Sequence, residues 1–228
     1  MSSNSPGPIW KHSARAGVLL AAFALAGGSL LALTYSSTRE RIAQNEREFT
    51  LSSLNQIVDE HRYDNDLFSD LLMVHDRELL GSKKPVEVYR ARMQGKPVAA
   101  IIASTAPDGY NGSIHLLVGV NIDGGLAGVR VTSHRETPGL GDGIEIDRSD
   151  WILDFNGRSL GQPNLDRWQV QRDGGEFDQF TGATITPRAV VKAVKNTLLY
   201  FAAHKDELFS VTVEQPGNQD HASKLPRN

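Results

Sequence analysis

The chain has 228 residues, enough for one domain with a sizeable core and some additional segments. Its 24 Lys and Arg residues nearly balance 27 Asp and Glu residues, and the net charge of −3 gives no overall basic field that would indicate nucleic-acid binding. The absence of cysteine excludes disulfide bonds, cysteine-ligated zinc, iron–sulfur ligation and thiol nucleophiles.

An uncharged apolar run occupies residues 16–35, about the length that a helix needs to cross a bilayer. The alternatives are a cleaved signal peptide and a buried helix. The apolar region of a signal peptide is usually about 7–15 residues long, and the rest of the chain is too small to surround a fully apolar helix. We therefore predict a retained single-pass anchor. Basic residues flank the run on both sides, so the charge bias does not fix its orientation.

A helical linker and a small sheet are predicted after this anchor. Apolar residues recur at helical spacing from Thr38 to Asp59, and residues 36–85 as a whole are expected to form a juxtamembrane helical linker. From Val86 onward the apolar residues alternate or form short runs, as they do in strands. The predicted strands cover residues 86–92, 97–103, 114–120 and 127–132. Turn residues separate them, which favours a half-buried antiparallel sheet.

The predicted fold class is α+β, with a single N-terminal transmembrane helix followed by one domain that has an antiparallel sheet and packed helices. This domain is expected to cover residues 86–212, with a short strand at 209–213 and a flexible tail at 213–228. Aromatic residues between the sheet and the last helix either line a ligand or pack in the core, and the core is the more common place. They include Trp151, Phe155 and Trp168.

The segment Asp178–Arg188 is typical of a tight turn that leads into a helix. Gly182 allows a positive φ or a close backbone approach, Thr186 is a good N-cap, and Pro187 follows at the first helical position. The start of a helix presents unpaired N–H groups and the positive end of a dipole, which together suit a phosphate. The neighbouring hydroxyls belong to Thr181, Thr184 and Thr186. From the residues alone, an ordinary capped helix is the simpler interpretation.

A second distinctive segment, His134–Gly141, lies between the sheet and this turn. Pro138 and Gly139 predict a rigid turn, and Gly141 and Gly143 keep the backbone accessible to something flat or close. A metal site built on His134 and Glu136 is poorly supported, because the two residues lack a third ligand. Taken alone, the segment is a loop.

The two segments together resemble one known family. Residues 178–186, Asp-x-x-Thr-Gly-Ala-Thr-x-Thr, resemble the flavinylation motif of the FMN-binding domain found in the G subunit of the Rnf ion-translocating electron-transport complex and in the C subunit of the sodium-pumping NADH:quinone reductase. Residues 136–141, Glu-Thr-Pro-Gly-Leu-Gly, are similar to the loop that borders the isoalloxazine ring in that family. The motifs occur in the expected order, and the match covers roughly residues 86–201.

The resemblance implies that Thr184 carries covalent FMN through a phosphoester bond, installed by a separate flavin transferase from FAD. The other cofactor-binding residues that it implies are Thr181, Gly182, Ala183, Thr186, Glu136, Thr137, Gly139 and Leu140. No catalytic residue and no metal ligand is expected, because an electron carrier needs only a positioned cofactor.

The resemblance also implies a setting for the chain. Its partners would be the other subunits of a complex that couples ferredoxin and NAD redox chemistry to ion translocation, together with the transferase and the membrane. Residues 1–15 would be cytoplasmic, the anchor would lie in a bacterial inner membrane, and the C-terminal domain would face the periplasm.

Alternative functions remain open at this point. The chain could be the sodium-pump subunit, or a membrane-tethered scaffold domain whose threonine-rich turn is merely a helix cap. A hydrolase is weakly supported, since Ser133, His134 and Asp142 are sequence neighbours without the strand-to-helix elbow that a triad of this kind needs.

Overall fold

The computed structural model describes residues 9–210, which divide between two compact units with the boundary after Leu51. The helices and strands are α1 (Ile9–Asn55), β1 (Leu71–Val74), α2 (Arg77–Leu80), β2 (Val86–Met93), β3 (Lys96–Gly109), β4 (Gly112–Asn121), β5 (Leu126–Ser133) and α3 (Ile185–Ser210). Short 3-10 helices lie at Glu60–Arg62, Asp142–Ile144, Asp150–Phe155, Leu165–Arg167 and Gln171–Asp173.

The first unit contains the apolar part of α1. The segment Ser13–Arg39, 27 residues long, is long and apolar enough to cross a bilayer, and its most apolar stretch has no buried residue. The separate helix expected from Thr38 to Asp59 is instead the C-terminal part of α1, which ends at Asn55. Asp59 lies beyond the end of this helix, where its carboxylate accepts the N–H of His61 and caps the 3-10 helix that follows.

The second unit is built on a five-stranded antiparallel sheet in the order β1-β2-β3-β4-β5. The predicted α+β class and the predicted strands, β2 to β5, are confirmed. The strand β1 was not predicted, because its four apolar residues follow a polar loop and are too few to show a strand period. β1 pairs with β2 from Leu71 opposite Tyr89 to Val74 opposite Val86.

Side chains alternate between the two faces of this sheet, and both faces are covered. On one face, Ile102 and Val118 belong to the larger core cluster, which α3 and the segment between β5 and α3 complete. On the other face, Ile101 packs in a second cluster with Leu54 and Ile57 from the end of α1 and the turn after it. Burial on both faces explains why β3 and β4 contain nearly continuous apolar runs.

The helix α3 is held at its C-terminal end by the buried guanidinium of Arg90 in β2. Arg90 forms an ion pair with Asp70 and donates to the carbonyl oxygen of Leu208 at 3.0 Å. The first part of the strand predicted at 209–213 is wrong, because Phe209 and Ser210 lie in α3. Residues 211–213 lie outside the described residues.

Two paired glycines leave the space in which Ile57 packs. Gly119 and Gly128 are directly opposite each other in β4 and β5. A Cβ atom at Gly119 would overlap the Cγ2 methyl of Ile57. A Cβ atom at Gly128 would lie 3.5 Å from the Cα atom of Ile57. The β-branched Ile57 side chain has little rotamer freedom with which to move away.

We expect Gly119→Ala to lower the free energy of unfolding by about 1–3 kcal/mol, since it overpacks a closed contact. Gly161→Ala is the matched control, because a Cβ atom there meets nothing within 4 Å. Urea unfolding of the full chain in detergent measures both. In an Ile57→Ala background the cost of Gly119→Ala should fall toward that of the control, and an unchanged cost would contradict this packing.

Candidate functional site

A tight turn spans Phe180 to Ala183, directly before α3. The N–H of Ala183 donates to the carbonyl oxygen of Phe180 at 3.1 Å, and Gly182 at the third position has a φ of +81°. A positive φ at this position alone is the signature of a type II turn. A Cβ atom at Gly182 would meet nothing within 4 Å. Gly182 is therefore used for its positive φ and not for a close approach of another part of the protein.

Thr184 lies between this turn and the first residue of α3. Its carbonyl oxygen accepts the N–H of Arg188 at 3.3 Å, so Thr184 occupies the N-cap position. The prediction that Thr186 caps the helix is wrong, and Pro187 is the third helical residue instead of the first. Thr186 is the second residue of α3, and its hydroxyl donates to the carboxylate of Glu136.

The second motif forms a turn of the same type. The N–H of Leu140 donates to the carbonyl oxygen of Thr137 at 3.1 Å, and the residues between them are Pro138 and Gly139, the latter with a φ of +77°. The rigid turn predicted at this Pro-Gly pair is confirmed. Asp142 braces it by accepting the N–H of Gly139 at 2.8 Å.

Glu136 joins the two motifs to each other and to the turn between β3 and β4. One carboxylate oxygen accepts the hydroxyl of Thr186, and the other accepts the N–H of Asn111 at 3.0 Å. The side-chain amide of Asn111 also donates, from its Nδ2, to the Thr137 hydroxyl at 3.0 Å. Glu136 is only 5 % exposed and Thr186 only 1 %. No local signal pointed to Asn111, which lies 25 residues before Glu136 and has the pattern of an ordinary turn residue.

Two glycines, one in the second motif and one just after it, make room for side chains of the two motifs. A Cβ atom at Gly141 would lie 2.9 Å from both Glu136 Oε2 and Thr186 Oγ1. A Cβ atom at Gly143 would lie 3.1 Å from the ring of Phe180. At Gly143, the flat group that packs against the loop is therefore the ring of Phe180, which belongs to the flavinylation motif itself.

His134 supports the same loop with both of its ring nitrogens. Its Nδ1 accepts the N–H of Glu136 at 2.9 Å, and since a backbone N–H can only donate, the ring proton lies on Nε2. That proton is donated to Glu145 at 2.7 Å. Within residues 9–210, no group of three or more His, Asp or Glu residues is arranged to hold a metal ion. Asp142 bonds the turn instead of His134, so these residues form no triad.

The aromatic residues upstream of the motif are core residues, as expected. Trp151, Phe155 and Trp168 are all buried. Trp151 also contacts the flavinylation motif. Its indole N–H donates to the carbonyl oxygen of Asp178 at 2.9 Å, and its ring meets the ring of Phe180 edge-on, with the ring centroids 5.3 Å apart. The side chain of Asp178 is exposed.

The two motifs and the turn between β3 and β4 expose both polar backbone and large apolar side chains. Thr181 and Gly182 are exposed, while Ala183 and Thr184 are half-buried. Leu140 is 50 % exposed and Ile185 is 44 % exposed, although both are large apolar residues. Tyr110, beside Asn111 in the turn between β3 and β4, is also exposed. A flat, partly apolar ligand held near Thr184 would cover such side chains.

An ion pair lies one helical turn beyond Thr184. Arg188 donates from Nε and Nη2 to the two carboxylate oxygens of Asp173, at 2.6 and 2.9 Å. These hydrogen bonds lower the pKa of Asp173 and raise the pKa of Arg188. The pair fixes the loop that precedes the turn against the first turns of α3.

We expect Gly182→Ala to lower the free energy of unfolding by about 1–2 kcal/mol, because a side chain disfavours the positive φ that the turn requires. Gly182→Asn should cost less, since asparagine tolerates this conformation better. Urea unfolding of the full chain measures the difference. Equal stability of wild type and both variants would show that the turn does not have this geometry.

We also expect the Asp173 carboxylate to titrate below its ordinary pKa, and to return toward it in Arg188→Gln. Because the folded-state pKa is lowered, the stabilisation is present above the unfolded-state pKa and is lost as the pH falls through the folded-state pKa. Carboxyl carbon chemical shifts followed by NMR report this titration. An Asp173 pKa that does not change in Arg188→Gln would contradict the assigned cause.

Two families of known proteins match this chain, and both motifs lie within the residues matched by one of them. The FMN-binding domain family matches residues 109–199, and the RnfG N-terminal region family matches residues 1–57.

The chain is 49 % identical to the G subunit of the ion-translocating oxidoreductase complex of Pseudoalteromonas atlantica, over 88 % of this chain and 94 % of that protein. It is 49 % identical to the protein of the same name from Vibrio atlanticus, over 85 % and 92 %. With the Vibrio cholerae protein of that name it shares 48 % identity, over 84 % and 91 %. The chain therefore belongs to the family formed by the G subunits of ion-translocating oxidoreductase complexes.

Proposed function

We propose that this chain is a membrane-anchored covalent flavoprotein that relays electrons within an Rnf-type ion-translocating oxidoreductase complex, with FMN esterified through its phosphate to Thr184. The observation that carries this proposal is the placement of Thr184. In a chain with an FMN-binding domain, its hydroxyl belongs to the N-cap residue of a 26-residue helix, next to an exposed type II turn.

The residues around Thr184 fit a phosphate followed by a flat ring. The N-terminus of α3 favours an anion through its dipole and its N–H groups. Thr181 and Gly182 are exposed and Ala183 is half-buried, so the turn leaves access to the hydroxyl, and Leu140 and Ile185 offer apolar surface. Thr137 and Gly139 form the turn that presents Leu140. We propose these residues as the surroundings of the cofactor.

Glu136 and Thr186 fit a different role from the direct contact that the resemblance implied. Both side chains are buried and bonded to each other, and the second carboxylate oxygen of Glu136 is bonded to Asn111. We therefore propose that they support the site and do not touch the cofactor.

Attachment requires only one group of this chain. The Thr184 Oγ attacks the FMN phosphorus of FAD, so that an Oγ–P bond forms, the pyrophosphate P–O bond breaks and AMP leaves with its phosphate. The hydroxyl proton passes to a base on the transferase, which also supplies Mg²⁺. When bound, FMN supplies the electron-transfer chemistry, and the protein sets its position and potential.

The family of the chain and the apolar part of α1 support a proposal about its setting. We propose that the apolar run, residues 16–35, spans the inner membrane, that residues 1–15 are cytoplasmic, and that the domain at residues 86–212 is periplasmic. Its partners are the other subunits of the complex, which handle ferredoxin and NAD, and the flavin transferase. The relatives named above are all G subunits of ion-translocating complexes, which disfavours the sodium-pump subunit, and the FMN-binding domain match disfavours a cofactor-free scaffold.

We expect Thr184→Ala to abolish covalent flavin while the domain stays folded, because it removes the acceptor hydroxyl and one methyl group of a half-buried side chain outside the core. The chain is co-expressed with a flavin transferase and examined by intact mass and by in-gel fluorescence after denaturation. Wild type should gain the mass of FMN less one water. Thr181→Ser, which keeps a hydroxyl in the exposed turn, is the control and should retain covalent flavin. Fluorescence that persists in denatured Thr184→Ala would overturn the assignment of Thr184.

A further inference from the structure

Glu136 is the meeting point of three segments that are distant in sequence. It bonds Asn111, 25 residues earlier, and Thr186, 50 residues later, and Gly141 leaves room for the second contact. We name this set, Asn111, Glu136, Gly141 and Thr186, the Glu136 junction. Every member except Asn111 belongs to one of the two motifs.

The junction acts two residues away from Thr184. On its N-terminal side, Thr184 is preceded by the turn of Phe180, whose ring packs at Gly143 and Trp151. On its C-terminal side, the next fixed point is the Thr186 hydroxyl in the junction. Thr184 is thus bracketed by two tertiary contacts, both made to the loop and 3-10 segment that follow β5.

The junction is the stronger of these two contacts in chemical terms. A hydrogen bond from a hydroxyl to a buried carboxylate is charge-assisted, and losing it leaves a buried acceptor without its partner. The glycine at position 141 indicates that the backbone is shaped to allow this contact, since a Cβ atom there would lie 2.9 Å from each of the two bonded side chains. The junction holds the first turn of α3 in one place relative to the second motif.

We propose that the Glu136 junction positions Thr184 for flavin attachment, with Glu136 and Thr186 as positioning residues. By fixing the first turn of α3, they present the Thr184 Oγ in one orientation to the FAD phosphorus on the transferase. A preorganised acceptor avoids the entropy cost of ordering the segment during the reaction. This inference rests on the proposed function, which names Thr184 as the acceptor.

The test compares two substitutions at one buried position. Thr186→Val keeps the shape of the side chain and removes the donor, whereas Thr186→Ser keeps the donor. With purified flavin transferase, FAD and Mg²⁺, we expect Thr186→Val to slow flavin attachment to the full chain by about tenfold or more. Thr186→Ser should attach flavin at close to the wild-type rate. Both variants keep Thr184 and should reach full labelling at long times.

A second pair of variants tests Glu136. Glu136→Gln keeps one acceptor for Asn111 and can still hydrogen-bond the Thr186 hydroxyl, so it should lose less rate than Glu136→Ala. Hydrogen–deuterium exchange of residues 181–188 in the unmodified chain gives a readout that needs no flavin. Exchange there should rise in Thr186→Val and in Glu136→Ala, and stay near wild type in Thr186→Ser.

Gly119→Ala is the control for general instability, because it overpacks the face of the sheet that Ile57 covers and leaves the Glu136 junction, on the side of α3, intact. It should attach flavin at the wild-type rate. Equal rates for Thr186→Val and Thr186→Ser would overturn the positioning role, and so would an equal slowing by Gly119→Ala. Failure of the proposed function has a different result, since wild type itself would then never acquire covalent flavin.

Discussion

The hydrogen bond between Thr186 and Glu136 is the contact on which the arrangement of the site depends. It ties the first turn of α3 to the loop after β5, across 50 residues of sequence. Without it, only the contacts of Phe180 and Asp178 with Gly143 and Trp151 would relate the two motifs. With it, the start of α3, where Thr184 lies, is held against the segment that contains the Pro138–Gly139 turn. Glycine at position 141 leaves room for this contact, since a Cβ atom there would lie 2.9 Å from each of the two bonded oxygens.

The helix α3 is held at both ends by charged side chains of the sign that its dipole favours. The carboxylate of Glu136 is bonded to its first turn, and the guanidinium of Arg90 donates to the carbonyl oxygen of Leu208 in its last turns. Between these points the helix packs on the larger core cluster of the sheet. The sheet is in turn covered on its other face by Leu54 and Ile57. The candidate site is therefore built on a helix with little freedom to shift.

Local sequence signals predicted much of this fold, and tertiary contacts account for the errors. The strands β2 to β5 and the Pro138–Gly139 turn have strong local signatures, and all are present. Thr186 also had the signature of a cap, but α3 begins at Ile185, and the Thr186 hydroxyl instead donates to a carboxylate 50 residues away. In the same way Phe209, predicted in a strand, lies in a helix whose end Arg90 and Arg92 hold in place. No local pattern shows that Asn111 and Glu136 meet.

Phosphorus NMR of the unfolded chain tests most directly whether the FMN phosphate is esterified to Thr184. A phosphodiester has no second ionisation, whereas the phosphate of free FMN titrates at about pH 6. For the chain matured by a flavin transferase, we expect one phosphodiester resonance that survives denaturation and does not shift as the pH passes through about 6. After proteolysis, the same resonance should be found on the peptide that contains residues 178–188. A resonance that titrates near pH 6, or one lost on unfolding and dialysis, would contradict the ester bond to Thr184.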